Sequence, residues 1–588
     1  MATITHATPS RHASSPFRRL WYRSLDHYPE RRRRIWYLAI IVVATIVLYY
    51  QLYVAGAVAP SILQHYGMTF RYYVYAVGVV AAGVGAFATI LAGLSDRWGR
   101  ANMVTYGLAL VALLTLFGVP NAPTKLSFVI LISAVGLIEG IVLVATPAMI
   151  RDFSPQLGRA TAMGFWTLGP VIGSLVVAQV ASHTLSHLHA WQDQFRIAGT
   201  AGAVVFVIAL LGLRELSPSL RNQLMVSLKD RALVETKAKG IDVQAALRRP
   251  WRQMLHLDII GPAFGSSVLL LVYYALVGFL VIYFATVFHY TEQRANALAN
   301  WFWAFNAIAL VGVGLLSDRL RVRKPFMAIG AVGAIITTII FLTKATRPDT
   351  SYYTFVVILS VLAASLGVAY APWFASFTET IERRNPALTA TGLAVGGWIA
   401  RIVVTLSALI LPWVVTSVTP LVNYGTQVAA YTAKYAPELT TAAAIDPATL
   451  KALSANPTNA AALGKAVGEL TAELHITPTA AVGRLVALGN ASKQADFQFL
   501  LAHGPQVTKA AKDAPTEWQT WWWVCVGGEV VFIPFIFLMV GRWSPARAKR
   551  DADEHERLIE EEMAKLAAQP TRKATPDGSE HRADSLQT

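Results

Sequence analysis

The chain has 588 residues, of which 55% are hydrophobic and 14% are charged, and its mean hydropathy is +0.46. This composition argues against a set of soluble domains, in which about a quarter of the residues are charged. It fits a protein embedded in lipid, where only helices and closed barrels satisfy their backbone hydrogen bonds. The formal charge of +16 does not indicate nucleic-acid binding, because the basic residues lie in short segments between apolar runs, as expected beside anionic lipid.

Twelve apolar runs follow one another along the chain. A helix needs roughly 20 mainly apolar residues to cross the hydrocarbon core of a bilayer. The runs predict an all-α integral membrane protein with twelve transmembrane helices, numbered here as spans 1 to 12. They lie near 35–60, 70–93, 102–119, 127–149, 162–182, 196–213, 258–287, 296–317, 326–343, 352–376, 389–416 and 520–541. The first run begins at Ile35 and is too long for a cleavable signal peptide, so we expect a retained span.

The charges between the runs predict the orientation. If the N-terminus is inside, the N-terminal tail and the inner loops through Arg384 carry twenty-seven Lys and Arg residues, against six at the outer loops. Four of the inner charges, Arg31 to Arg34, adjoin span 1. The positive-inside rule therefore predicts that both termini are cytoplasmic in a bacterial-type inner membrane.

The polar segments divide the chain further. A basic tail over 1–34 precedes an N-terminal six-helix bundle over 35–213, and a cytoplasmic linker over 214–257 leads to spans 7 to 11 over 258–416. An alanine-rich insertion over 417–519 separates span 11 from span 12, which covers 520–541, and a charged tail over 542–588 is expected to be partly disordered. Asp446-Pro447 and Thr477-Pro478 are typical helix starts, so we expect a small helical outer domain. A lid, a partner-docking module and a passive insertion are the alternatives for its role.

The two halves of the chain repeat each other. Tyr49-Tyr50 recurs as Tyr273-Tyr274, and His65-Tyr66 recurs at the same offset as His289-Tyr290. Leu94-Ser95-Asp96-Arg97 recurs as Leu316-Ser317-Asp318-Arg319 after span 8. Two similar bundles that rock about a site at their interface are typical of alternating-access transporters.

The loop after span 2 resembles the signature of the major facilitator superfamily. The match holds at Leu94, Asp96, Arg97, Gly99 and Arg100, and departs from the family at Ala92 and Ala101. The second copy keeps Asp318 and Arg319 but has Arg321 in place of the second glycine. The resemblance implies two pseudo-symmetric six-helix bundles and a loop that stabilises the outward-facing state. A basic loop that only sets topology is the alternative.

A second motif lies in span 5. Gly169, Pro170 and Gly173 resemble the glycine–proline motif frequent in proton-coupled exporters of the family. The resemblance as a whole covers about residues 35–416 and 520–541, leaving the insertion outside it.

Three ionisable residues stand out deep within spans, where such groups usually face a cavity or a partner. They are Glu139 in span 4, Arg401 in span 11 and Glu529 in span 12. The family arrangement implies that spans 4 and 11 line the central cavity and that span 12 is peripheral. A guanidinium suits a carboxylate or phosphate, so we expect Arg401 to bind an anion, and Glu139 is the candidate for proton coupling. Alternatively, the two pair with each other or with backbone and only hold the bundle together.

Aromatic and amide residues near the expected site are further binding candidates, although most aromatic residues of such a chain anchor it at the membrane interfaces. The candidates are Tyr50, Gln51, Trp303, Asn306, Tyr370 and Trp373.

The leading hypothesis is a secondary active transporter that moves an organic anion or metabolite by alternating access with proton coupling. A drug or metabolite exporter of the same fold is the first alternative, and a non-transporting sensor or assembly platform is the second. We find no metal-ligand cluster, nucleotide loop or nucleophile motif in the sequence, so neither an enzyme nor a cofactor is expected. The expected partners are a small solute, protons and the lipid bilayer, with a further partner conceivable at the insertion and none among nucleic acids.

Overall fold

The computed structural model describes residues 23–80, 98–154, 167–217, 250–385 and 388–547, together with 21, 83–84, 220, 549–550, 554 and 557. Across these ranges ten helices are long and apolar enough to cross a membrane. The predicted runs 70–93 and 162–182 lie partly outside the described residues. The all-α, multi-span fold class is confirmed, and most of the charged tail over 542–588 falls outside the described ranges.

The first half contains spans 1 to 6. Spans 1 and 2 are joined by the short helix Ala59–Tyr66, and span 3 ends in a π-helical and a 3-10 turn. The segments are Arg31–Ala57 for span 1, Phe70–Tyr73 with the π-helical Val74–Val80 for span 2, Arg100–Leu113 with Leu114–Gly118 and Val119–Asn121 for span 3, Lys125–Phe153 for span 4, Gly169–Thr184 for span 5 and Trp191–Gly212 for span 6.

The second half begins after the short helix Pro250–Met254. Span 7 is one predicted run but two helices, because the backbone leaves the helical conformation at Leu270. The segments are Leu257–Leu269 and Leu271–Val287 for span 7, Glu292–Leu320 for span 8, Lys324–Ala345 for span 9, Tyr352–Arg384 for span 10, Thr389–Val414 for span 11 and Ala495–Leu538, which includes span 12.

The halves meet through equivalent spans. Span 5 of the first half packs on span 8 of the second, span 2 packs on span 11, and span 1 packs on span 7. The approach of spans 1 and 7 is close, since a Cβ on Gly56 would lie 3.0 Å from the Val277 carbonyl oxygen. This pairing leaves spans 4 and 10 free to flank the space between the halves.

The insertion is helical and lies at one end of the bundle, called here the insertion side. Its helices are Val418–Lys434, Ala436–Ala443, Pro447–Ala455, Ala460–Leu474 and Pro478–Ala491. Asp446 and Thr477 cap two of them through their side chains. The last helix starts inside the insertion at Ala495 and continues unbroken to Leu538, so span 12 extends well beyond the membrane.

The insertion is tied to both halves. Glu517 of the last helix accepts hydrogen bonds from the amides of Thr416 and Ser417, both at 2.9 Å, and from both of their hydroxyls. From Val418–Lys434, the Thr419 hydroxyl accepts from the Phe70 amide at 2.9 Å, and Asn423 donates to the Met68 carbonyl at 3.1 Å. The helix Val418–Lys434 therefore connects the second half to the loop between spans 1 and 2.

The opposite end, called here the loop side, holds a two-stranded parallel sheet. Ser24–Leu25 pairs with Glu215–Leu216, which directly follows span 6. The buried Arg23 donates to the Thr105 hydroxyl at 2.8 Å and to the Ala209 carbonyl at 3.2 Å. This N-terminal segment thereby joins spans 3 and 6 beneath the first half.

Candidate functional site

Five tyrosines from both halves surround a space in the middle of the bundle. Tyr49 and Tyr53 lie one helical turn apart in span 1, Tyr273 and Tyr274 lie in span 7, and Tyr370 lies in span 10. The ring centroids of Tyr49 and Tyr53 lie 5.6 Å apart, as do those of Tyr273 and Tyr274, and the two pairs lie near each other and near Tyr370. All five side chains are half-buried although they lie deep between helices. Such partial exposure indicates an open space among them.

Arg401 lies at this space. Its side chain is exposed near the middle of span 11, and it lies near Tyr49 and Tyr274. The lipid-facing stripe of the same helix, Ile402, Leu406 and Ile410, lies on a different side. Among the described residues Arg401 forms neither an ion pair nor a hydrogen bond, so a guanidinium with free donors faces the interior.

Glu139 lies beside the same tyrosines but is enclosed. Its side chain is 1% exposed, and neither carboxyl oxygen has a hydrogen-bond partner. It lies near Tyr49 and Tyr53. Because no ion pair joins Glu139 to Arg401, the alternative of a structural pair between them has no support in the described part of the chain. An unpartnered buried carboxyl is costly to keep as an anion.

A small cavity adjoins the tyrosines on the insertion side. Residues of spans 1, 5, 7 and 8 line it, among them Tyr53, Ser174, Asn296 and Trp303. The Ser174 hydroxyl is buried without a partner. Trp303 also packs edge-to-face on Tyr273, with ring centroids 5.2 Å apart. Of the aromatic and amide candidates, Trp303 and Tyr370 therefore lie at the central space.

Two other candidates bind backbone instead. Asn306 donates to the Ala363 carbonyl at 2.9 Å and so joins spans 8 and 10. The Trp373 indole donates to the Pro262 carbonyl at 3.2 Å, while its ring stacks on Tyr370. Their positions near the site are structural, and Trp373 supports the orientation of Tyr370.

Tyr50 and Gln51 lie away from the central space. The Tyr50 hydroxyl is enclosed without a hydrogen-bond partner. Gln51 is buried against span 6, where its side chain packs on Gly202. Sequence reasoning missed Tyr49, Tyr53, Tyr273 and Tyr274 as site residues. The spacing of Tyr49 and Tyr53, four residues apart on one helical face, was the available signal.

The glycine–proline motif of span 5 shapes this site. A Cβ on Gly169 would lie 2.7 Å from Thr45 Cγ2, and a Cβ on Gly173 would lie 2.6 Å from Tyr49 Cβ. Pro170 occupies the first turn of the helix, where its missing amide costs nothing. The two glycines allow spans 1 and 5 to approach and thereby hold Tyr49 against the space.

On the loop side, Asp96 and Arg97 lie outside the described residues. Gly99 adopts φ +90° and packs against Glu215, a position that only glycine fits without strain. The Arg100 amide donates to Glu215 Oε2 at 2.7 Å, and its guanidinium donates to Asp152 at 2.7 Å. Asp152, at the end of span 4, and Glu215 are partners that the sequence did not reveal.

The second half repeats this arrangement with different residues. Arg323 binds Asp318 and also Glu379 near the end of span 10, at 3.1 Å from its Oε1. Arg319, the predicted base of the motif, has an exposed side chain. In each half, an arginine at the end of the loop between the second and third spans binds an acidic residue of the fourth span. These pairs are Arg100 with Asp152 and Arg323 with Glu379.

The halves are joined on the insertion side of the tyrosines. Glu292 of span 8 accepts from the Ser61 amide at 2.8 Å, and Asn296 donates to the Ala57 carbonyl at 2.9 Å. Every side-chain hydrogen bond that connects described residues of the two halves lies on this side. The others pair Asn300 with Ser182, Tyr75 with Leu409, Trp413 with Tyr75, Phe70 with Thr419 and Asn423 with Met68.

Two similar six-span halves that enclose a polar space at mid-membrane, joined on one side of it, define a solute transporter and not an enzyme. The chain belongs to the Major Facilitator Superfamily, whose family model matches residues 41–431. This confirms the resemblance of the loop after span 2.

Two solved structures of a bacterial homologue of the human lysosomal transporter Spinster share the fold. The inward-facing, occupied form has a TM-score of 0.55 and 14% sequence identity, and the match covers 88% of this chain and 98% of that chain. The inward-facing, unoccupied form has a TM-score of 0.53 and 17% sequence identity, and the match covers 88% of this chain and 100% of that chain.

Three curated proteins are similar to parts of the chain. The phosphoglycerate transporter protein of Salmonella typhimurium is 23% identical over 308 residues, which is 50% of this chain and 64% of that protein. The efflux pump radE of Floropilus chiversii is 26% identical over 250 residues, which is 41% of this chain and 45% of that protein. The multidrug resistance protein MdtL of Shewanella oneidensis is 28% identical over 156 residues, which is 26% of this chain and 39% of that protein. The chain thus matches less than two thirds of the length of each of these relatives.

Proposed function

We propose that this transporter carries an organic anion by alternating access, in exchange or symport with protons, across a bacterial inner membrane with both termini inside. The main support for this proposal is Arg401, a cation that faces the central space and has no ion-pair or hydrogen-bond partner among the described residues. In a cavity of low dielectric constant, such a guanidinium offers a planar fork of donors that matches a carboxylate or phosphate. The charge asymmetry of the loops supports the orientation, which places the insertion outside.

Glu139 is the proposed coupling residue. It lies near the same tyrosines as Arg401 but is enclosed and lacks hydrogen-bond partners. A carboxyl in this setting is stable when protonated and costly when ionised, unless a conformational change brings water or a donor to it. We infer that the alternation of the two halves provides that change, so that one proton moves with each cycle.

The test uses purified protein in liposomes with an imposed pH gradient. The Arg401→Gln variant should abolish the movement of anions, and Glu139→Gln should leave exchange at equal pH while removing acceleration by the gradient. Glu529→Gln is the matched control, because Glu529 is also buried but accepts from Thr338 at 2.7 Å in peripheral span 12. Anion transport that survives in Arg401→Gln, or an equal loss in all three variants, would refute the assigned roles.

Drug or metabolite export is the second candidate. The names of two relatives, an efflux pump and a multidrug resistance protein, and the glycine–proline motif of span 5 favour it. In that case Arg401 would not bind the transported solute. Extrusion of cationic dyes from cells that overproduce the protein, unchanged in Arg401→Gln, is the result expected for an exporter and contrary to the anion carrier.

A further inference from the structure

The five tyrosines of the central space carry information about the solute. None of their hydroxyls makes a hydrogen bond to a described residue, and none is enclosed by protein, whereas the neighbouring Tyr50 hydroxyl is enclosed. Since a phenolic hydroxyl both donates and accepts, the site presents a set of unused hydrogen-bonding groups from spans 1, 7 and 10. Water fills such positions in the empty protein, and a ligand with matching polar groups can replace it without loss.

The tyrosine rings are engaged with protein. Tyr370 stacks on Trp373 with ring centroids 5.3 Å apart, and Tyr273 packs edge-to-face on Trp303. The Tyr49 ring passes 3.4 Å from the position of a Cβ on Gly169. These contacts cover part of the Tyr370, Tyr273 and Tyr49 rings, and the five hydroxyls without hydrogen bonds to described residues are polar groups available to a ligand. This arrangement favours a ligand rich in hydroxyl groups over an aromatic one.

The charge of the site limits the charge of the ligand. Among the described residues of the spans, the exposed cation beside these tyrosines is Arg401, and the nearby acid, Glu139, is enclosed. One guanidinium matches one carboxylate. A dianion would leave one of its charges without a cation to pair with among these neutral hydroxyls, and a neutral polyol would leave the guanidinium unpaired.

We propose that the solute is a hydroxylated monocarboxylate, held at its carboxylate by Arg401 and along its hydroxyls by Tyr49, Tyr53, Tyr273, Tyr274 and Tyr370. This inference rests on the proposed anion transport and adds the class of the anion. The tyrosines determine specificity: they distinguish the hydroxylated acid from its hydrocarbon counterpart. A site that hydrogen-bonds substrate hydroxyls rejects an analogue without them, because its own polar groups then stay unpaired.

The test measures binding by calorimetry on the purified full-length protein, since short hydrocarbon acids cross liposome membranes unaided. The hydroxylated probes are glycerate, threonate and gluconate, and their matched acids without hydroxyls are propionate, butyrate and hexanoate. Glucitol tests the hydroxyls without the charge, glucarate tests two charges, and benzoate tests a ring. At least one hydroxylated acid should bind at least about 10-fold more tightly than its match and than the other three probes.

The variants identify the source of that preference. Tyr53→Phe and Tyr274→Phe should each weaken binding of the preferred hydroxylated acid by about 3- to 10-fold, the effect of one neutral hydrogen bond, and leave the hydrocarbon acid unchanged. Tyr50→Phe is the matched control and should change neither. Equal binding of matched acids, tightest binding of benzoate or glucarate, or an equal effect of Tyr50→Phe overturns the inference while leaving anion transport intact. Failure of every hydroxylated acid to bind overturns the inference alone, whereas anion binding that is unaffected by Arg401→Gln overturns the proposed function itself.

Discussion

Glu517 fastens the insertion to span 12, and its replacement by Gln tests that role. The carboxylate accepts from two amides at the start of Val418–Lys434 and from the hydroxyls of Thr416 and Ser417. Glutamine keeps one acceptor oxygen and loses the charge that favours a helix N-terminus. A capping interaction contributes about 0.5–2 kcal/mol, and the half-buried position of Glu517 justifies about 1–2 kcal/mol here.

That magnitude predicts the result of hydrogen–deuterium exchange on the full-length protein. If Val418–Lys434 opens locally, 1–2 kcal/mol raises the open population about 5- to 30-fold, and exchange of its first amides should accelerate by the same factor. Glu473→Gln serves as the control, because Glu473 is an exposed acid of the same insertion. Unchanged exchange in Glu517→Gln, or equal acceleration in Glu473→Gln, would refute the reasoning.

Three further predictions concern stability and ion pairs. Gly173→Ala should lower the free energy of unfolding in detergent by about 1–3 kcal/mol through overpacking against span 1, whereas Gly397→Ala, with nothing within 4 Å of its Cβ, should change it little. The side-chain hydrogen bonds of Asp496 with Lys434 and Tyr435 lower its pKa from 3.8 to about 2. Asp496 therefore stabilises the insertion above pH 3.8 and loses this effect as pH falls through 2. Hydrogen–deuterium exchange of the insertion in Asp496→Asn should exceed that of the wild type at pH 5 and equal it below pH 2. Arg323→Gln should reduce thermal stability because two carboxylates lose their partner, and Arg319→Gln should not; equal melting temperatures would contradict the assignment.

The apolar runs predicted the spans because lipid requires a helix of fixed length wherever one crosses. They did not predict how each helix is rotated. Tyr49 and Tyr50 are adjacent, yet the first faces the central space and the second is enclosed. Gly169 and Gly173 decide this rotation by admitting span 1 to within contact of span 5. Such packing depends on a partner more than a hundred residues away, and a single sequence does not show which glycine meets which helix.

The ion pairs of the loop side illustrate the same limit. The sequence singled out the loop after span 2 from its resemblance to a family, but its partners Asp152 and Glu215 lie beyond two and four further spans. Their charges at span ends were visible and look like ordinary topology signals. Arg401 and Glu139 were found because a charge inside an apolar run is costly in itself, a property that belongs to the residue and requires no knowledge of its neighbours.

The small sheet on the loop side has a consequence for the order of synthesis. Ser24–Leu25 is made first of the described strands, but its partner Glu215–Leu216 leaves the ribosome only after span 6 is complete. Pairing of the two strands, with Arg23 donating to spans 3 and 6, can therefore close the first half before span 7 has left the ribosome. We expect Arg23→Gln to reduce the yield of folded protein in pulse-labelled cells, with misfolding beginning in the first half, and a normal yield would show that closure at this point is dispensable.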